Sequence, residues 1–178
     1  NYAVGVSTCS SYSGILDSLF LRLAAYATGR VIPIGDPEFV DPLLQWLLVV
    51  KRGALIAFLL ALIWRNLSRA FESQIFAFLA VIAFCLSPEM LARGFEVSVN
   101  GEAGASIFFV FSLFLRNVAL GSETRLWEAL LAGTLGAIRM PVFLFSLLAA
   151  SSWRAAVGII GAFGIWALGL LRSSYDLS

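Results

Sequence analysis

The sequence contains no histidine. That removes the usual ligand of haem, chlorophyll and catalytic zinc, and the usual general base near neutral pH. Acid–base chemistry in such a chain falls to carboxylates; no metal site is expected and no cofactor is assigned. Charge is scarce too. Asp, Glu, Lys and Arg make up 13% of the residues, against about 25% in soluble domains. Lys51 is the sole lysine, so every other cation is an arginine. The net charge is +1 and no basic run occurs, which gives no reason to expect a nucleic-acid partner. The two cysteines, Cys9 and Cys85, stand in unrelated contexts. A disulfide between them has little support, and Cys85 reads as a small apolar helix residue. The chain opens on Asn with a polar stretch and no visible signal peptide. The expectation is therefore that a leading segment was removed or that the chain is part of a longer one.

What is present is apolar. Hydrophobic residues make up 60% of the chain, and a lipid-embedded bundle is the natural solvent match. The predicted fold is all-α: a polytopic transmembrane helix bundle over residues 43–178, preceded by an outer segment, residues 1–42, with an interfacial helix. The lipid bilayer is thus the first expected partner.

The outer segment begins with a Ser-, Gly- and Tyr-rich stretch. Residues 15–28 (ILDSLFLRLAAYAT) then place apolar residues at helical spacing, with Asp17 and Arg22 between them. This helix is too short and too charged to span, and it reads equally as lying at the interface or as packed on the mouth of the bundle. Residues 29–42 (GRVIPIGDPEFVDP) hold three prolines, which favour an ordered loop outside the bilayer. Asp36, Glu38 and Asp41 could act there as bases or cation ligands, or serve as solvated turn and cap residues.

About five spans follow if each apolar run crosses once. The first is expected over residues 50–66, because a helix continuous from Leu43 would carry Lys51 and Arg52 into the bilayer at about 2.5–3.5 kcal/mol each. Residues 75–86 and 103–115 form the second and third. Residues 126–150 form the fourth, with a kink or two half-helices meeting at Arg139-Met140-Pro141, since proline removes a backbone donor. Residues 155–171 form the fifth, uncharged and rich in glycine. Arg65 and Arg69 share a side with Arg116 and Arg125, and Arg93 lies opposite. That imbalance puts the 65–73 and 116–125 loops in the cytoplasm and residues 1–50, with the 87–102 loop, at the outer face of the inner membrane. The course of the chain after Arg139 stays open, and with it the side on which Arg154 lies. Glu96, Asn100 and Glu102 form a polar mouth on the outer face. Arg139 is the arginine expected to be buried, facing a partner or a watery cavity, or else snorkelling or pairing with Glu128 or Glu102.

The order WRNLSRAFESQIFAFLAVIAFCLSPEML, polar loop, GEAGASIFFVFSLFLRN, LLAGTLGAIRMPVFLFSLLA resembles the N-terminal half of GT-C-type, polyprenyl-phosphate-sugar-dependent membrane glycosyltransferases. The matching positions are Arg65 and Arg69, Ser87-Pro88, Asn100 and Glu102, and Ala132-Gly133, Gly136, Arg139 and Pro141. The resemblance covers roughly residues 41–150 and implies a partial or degenerate member. It implies sugar transfer from a polyprenyl-phosphate donor at the outer face. Asp36 and Asp41 are then the candidates for the catalytic carboxylate that deprotonates the acceptor hydroxyl. Lys51, Arg52, Arg93 and Arg139 are the candidates to hold the lipid phosphate. The family's aspartate follows a first membrane helix that has no counterpart ahead of Asp36. VSTCSSYSGIL and WRNLSR are also similar to the Cys-Ser-Gly and Asn-x-x-Arg segments of exosortase-type proteases, but those need a histidine partner for the cysteine. A third reading needs no chemistry: a structural or accessory subunit packed against other subunits of a larger membrane complex.

Overall fold

A computed structural model describes residues 20, 23–29, 42–88, 99–137 and 140–175. Among them the chain is all-α, seven helices and no strand. A short helix α1 covers residues 23–28. It is followed by α2 (Pro42–Phe71), α3 (Gln74–Cys85), α4 (Val99–Leu120), α5 (Leu126–Gly136), α6 (Met140–Leu148) and α7 (Trp153–Tyr175).

Local chemistry sets the boundaries. Pro42 opens α2, where its missing N–H costs nothing and its fixed φ suits the first turn. Glu72, at φ 52°, takes the left-handed position that ends α2. Ser73 caps α3 by accepting the Phe76 N–H at 3.2 Å, and Ser152 caps α7 by accepting the Ala155 N–H at 3.3 Å. Pro141 lies in the first turn of α6, the one place a helix tolerates it.

The helices form two groups. In the first, α2 packs along α4 and α3 turns back along α2. Lys51 meets Glu102 and Asn66 meets Ser112, so α2 and α4 run parallel. Phe84 of α3 stacks on Phe108 of α4 at 4.6 Å. In the second group, α5 and α6 form an antiparallel hairpin: Gly136 abuts Phe143, and Ser146 lies 3.1 Å from the Ala132 carbonyl. Helix α7 runs parallel to α5, with Gly133 against Ile159 and Ala162, and Gly158 against Ala129. Contacts from α4 to α5 and α6 join the groups. One core runs through both, built on Leu59, Ile63, Phe109, Leu113, Ala132, Val142 and Ile159. Ala25 of α1 packs separately near Leu47 and Leu48, so this described part of the expected interfacial helix lies on α2.

Several expectations change. The first apolar helix is not confined to residues 50–66 but runs unbroken from Pro42. Lys51 does not break it because a carboxylate from α4 meets its ammonium. Arg116 lies within α4, not in a loop, and Arg65 and Arg69 lie within α2. The interruption expected near Pro141 is present, and it is a reversal, not a kink: α5 and α6 return to the end they started from. Gly136 allows this, since a Cβ there would sit 3.0 Å from the Phe143 Cα. The chain after α5 therefore comes back, and Arg154 lies at the same end as Arg125. Among the described residues two helices are long and apolar enough to cross a membrane, within Trp46–Phe71 and Glu102–Leu120, where five spans were expected. The α3, α5 and α6 helices have 12, 11 and 9 residues, short of the ~20 a crossing needs. In the most apolar window of α2 only 17% is buried, so that helix turns most of its apolar surface outward, unlike a soluble core helix.

The approach of α5 to α7 depends on Gly133, where a Cβ would lie 2.4 Å from the Ile159 carbonyl oxygen and 2.9 Å from the Ala162 Cβ. Gly161, on the open side of α7, has nothing within 4 Å. Gly133→Ala is expected to destabilise the fold by about 1–3 kcal/mol through overpacking. Gly161→Ala should be neutral or stabilise by up to about 1 kcal/mol through helix propensity. Unfolding midpoints of the two variants in the same detergent check the contrast, and equal midpoints would refute this packing.

Candidate functional site

Two polar clusters sit inside the apolar bundle, at opposite ends of α2 and α4. Lys51 and Arg65 are fourteen residues apart on one helix, and Glu102 and Arg116 fourteen apart on the other. At 1.5 Å per residue, about 20 Å of apolar packing separates the clusters.

The first cluster is the ion pair of Lys51 and Glu102. The ammonium donates to Glu102 Oε1 at 3.1 Å, with Glu102 1% exposed and the Lys51 side chain 19% exposed. Glu102 stands in the first turn of α4, where a carboxylate also meets the positive end of the helix dipole. Thus one residue assigned to lipid phosphate and one assigned to the polar mouth are brought together. Arg52 is partly buried on the next position of α2, and Asn100 falls in the first turn of α4. Asp36, Asp41, Arg93, Glu96 and Arg139 lie outside the described residues, as do Asp17, Glu38 and Glu89. Among the described residues no three His, Cys, Asp or Glu side chains gather as a metal-ligand set.

The second cluster centres on Glu128, fully buried in the first turn of α5. Arg116 of α4, 4% exposed, grips it with both ends of its fork: Nη1 to Oε1 at 2.6 Å and Nη2 to Oε2 at 2.8 Å. Arg65 Nη2 of α2 reaches Oε1 at 3.1 Å, and the Arg125 backbone N–H donates to Oε2 at 3.1 Å. Those four bonds fill the accepting capacity of a carboxylate. Arg116 also donates to Asn66 Oδ1 at 3.1 Å and to Asn117 Oδ1 at 3.0 Å. Asn66 passes the network on to Ser112 (3.1 Å), which donates to the Phe109 carbonyl (2.6 Å). Asn117 donates to Thr124 Oγ1 (2.7 Å) and to the Ala149 carbonyl (3.3 Å). The Thr124 N–H is taken by Ser151 Oγ at 2.6 Å. Helices α2, α4 and α5 and the loops on either side of the α5–α6 hairpin are thereby tied at one point. The Arg65 guanidinium finishes the cluster, 5.2 Å over the Trp127 ring.

The buried arginine of the described bundle is therefore Arg116. The sequence carries signals for it: Arg116-Asn117 directly follows an apolar run with helical spacing, and Glu128 sits at the third position of the next helix. Neither says that the chain between them turns tightly enough for the two to meet. Glu128, one of the partners weighed for Arg139, already accepts from Arg116 and Arg65. Of the cations assigned to the 65–73 and 116–125 loops, Arg65 and Arg116 converge on Glu128, and the Arg125 backbone joins them. Compared with family models, with curated proteins and with solved structures, the chain matches none.

Chemically, the Glu128 carboxylate is saturated and can do little but hold, while the buried Nε of Arg65 has no hydrogen-bond partner. Removing one partner strands a buried charge. Glu128→Leu and Arg116→Met are each expected to cost about 3–5 kcal/mol, whereas the two together should cost far less than the sum. Denaturation midpoints of the four proteins in one detergent test this. Additive losses would mean that the two residues are not a unit.

Proposed function

We propose that the chain is an integral membrane protein of the lipid-linked-sugar glycosyltransferase type, partial or degenerate, whose Lys51–Glu102 end serves a polyprenyl-phosphate donor at the outer face of the cytoplasmic membrane. The observation that carries this reading is the meeting of Lys51 with Glu102. It ties α2, nine residues past its start at Pro42 and downstream of Asp36 and Asp41, to the first turn of α4, whose start at Val99 lies within the expected 87–102 loop. Both outer segments therefore enter the bundle at one end, as a donor site assembled from them requires. Lys51 and Arg52, on adjacent positions of α2, bring two cations to this end against the one carboxylate of Glu102, a net positive charge suited to a phosphate. The proton from the acceptor hydroxyl would pass to Asp36 or Asp41.

A second reading, a non-catalytic subunit of a membrane complex, is favoured by a different observation. Helix α3 buries only Ala77 and leaves Ile75, Phe76, Phe78 and Leu79 exposed, and α7 exposes Val157, Ile160, Ile165 and Leu168. Lipid or neighbouring chains would cover such flanks.

One preparation separates the readings. The protein is purified from membranes in mild detergent and tested for binding of a polyprenyl phosphate. Lys51→Ala is expected to weaken binding about tenfold, the loss of one charge-assisted contact, and Asp36→Asn or Asp41→Asn to abolish transfer without weakening binding. No polyprenyl-phosphate binding, together with stoichiometric co-purifying chains, would sink the first reading and support the second.

A further inference from the structure

We propose that the Glu128 end of the bundle carries a binding site for an acidic phospholipid headgroup, seated between the first turns of α5 and α7. This inference uses the membrane reading but not the sugar-transfer reading. Its basis is the company that the surface cations keep at this end. Among the described residues, with Arg116 and Glu128 neutralising each other inside, this end carries Arg65 (itself touching Glu128), Arg69, Arg125 and Arg154 against Glu72 and Glu123. Arg65 lies within electrostatic reach of Arg69 and Arg125. Arg125 and Arg154 line one cleft of about 470 Å³, together with Glu123, Thr124, Leu126 and Ser152.

Two exposed tryptophans, Trp127 and Trp153, pair with these cations, and a third, Trp64, precedes Arg65 on α2. Trp64, Trp127 and Trp153 are 46%, 39% and 73% exposed. Arg65 lies over Trp127 and Arg154 lies 5.7 Å over Trp153. Exposed indoles paired with arginines suit the level where acyl chains give way to headgroups. A soluble anion would have no use for them, or for Leu126, 63% exposed on the wall of the cleft. A lipid would: its phosphate meets Arg125 and Arg154, which outnumber Glu123, and its glycerol and upper chains lie on Leu126 and Trp153. The first turns of the parallel helices α5 and α7 open at the cleft side by side and add a weak field of the same sign. Basic residues at this depth attract anionic lipid in preference to zwitterionic lipid.

The full chain, purified in a neutral maltoside detergent, is titrated with palmitoyl-oleoyl phosphatidylglycerol or the matching phosphatidylcholine, and native mass spectrometry counts retained lipid. Phosphatidylglycerol should be retained in clear preference. Arg125→Gln and Arg154→Gln should each reduce that preference about fivefold, and the double variant should bring it down to the phosphatidylcholine level. Arg125→Lys with Arg154→Lys should keep most of it. The single variants carry the test where the double variant does not fold. Equal retention of the two lipids, or a preference that survives the single Gln substitutions, overturns the proposal. So does displacement of phosphatidylglycerol by millimolar inorganic phosphate, which would make this a site for a free anion. Extraction of membranes with alkaline carbonate, read separately, reports whether the chain is embedded at all.

Discussion

The two groups of helices meet around one carboxylate. Glu128 begins α5 and accepts hydrogen bonds from Arg116 of α4, Arg65 of α2 and the backbone ahead of its own helix. Without it, Arg116 would be a buried cation facing only two amide oxygens, and the α5–α6 hairpin would lose its hydrogen bond from Arg65 of α2. An apolar core resists separation of helices but is tolerant of rotation and sliding. A bidentate arginine–carboxylate pair is not, because both N–H···O bonds weaken steeply with angle. The pair thus sets the register that the surrounding leucines and phenylalanines leave loose, a use of buried charge better attested than raw stabilisation.

Placing polar clusters at both ends of a parallel helix pair solves a problem of solvent. The stretch between Arg52 and Arg65 is apolar, as is that between Glu102 and Arg116 except for Ser106 and Ser112. Both serines donate to carbonyls of their own helix, Ser106 to Glu102 and Ser112 to Phe109. Past Arg52 no charge lies between the clusters on either helix, and the fully buried charges Glu102, Arg116 and Glu128 each meet an opposite charge. This is the arrangement expected where water is scarce along the middle of a bundle and returns toward its ends. It also gives the two ends different characters. One is a single tight ion pair beneath the entering segments. The other is a network around a saturated carboxylate, with arginines and exposed tryptophans beside it.

Much of the helical layout was legible from the residues. Prolines 42, 88 and 141, the capping serines 73 and 152, and the apolar runs mark starts and stops to within a few residues, except that α2 begins earlier and α4 ends later than apolarity alone suggests. Both extensions have one cause. Lys51, Arg52, Arg116 and Asn117 look like residues that end a membrane helix, since hydropathy charges each for burial in lipid. The charge disappears when a partner from another helix arrives, and the partner's arrival is a tertiary fact. For the same reason the sequence singles out Arg139, isolated in its run, and not Arg116, whose polar neighbours read as a loop.

The sequence by itself determined that the chain is helical and poor in charge, that histidine chemistry is closed to it, and where the backbone must be interrupted. Each follows from composition or from a single residue's geometry: proline without an N–H, glycine without a Cβ, serine able to cap. Only the tertiary structure decided that residues 126–148 turn back on themselves, that α2 and α4 run parallel, and that Lys51 finds Glu102 while Arg116 finds Glu128. Those outcomes depend on contacts between residues 12 to 63 positions apart, where small differences in packing, such as the absent Cβ at Gly133 or Gly136, choose among folds that local preference leaves equal.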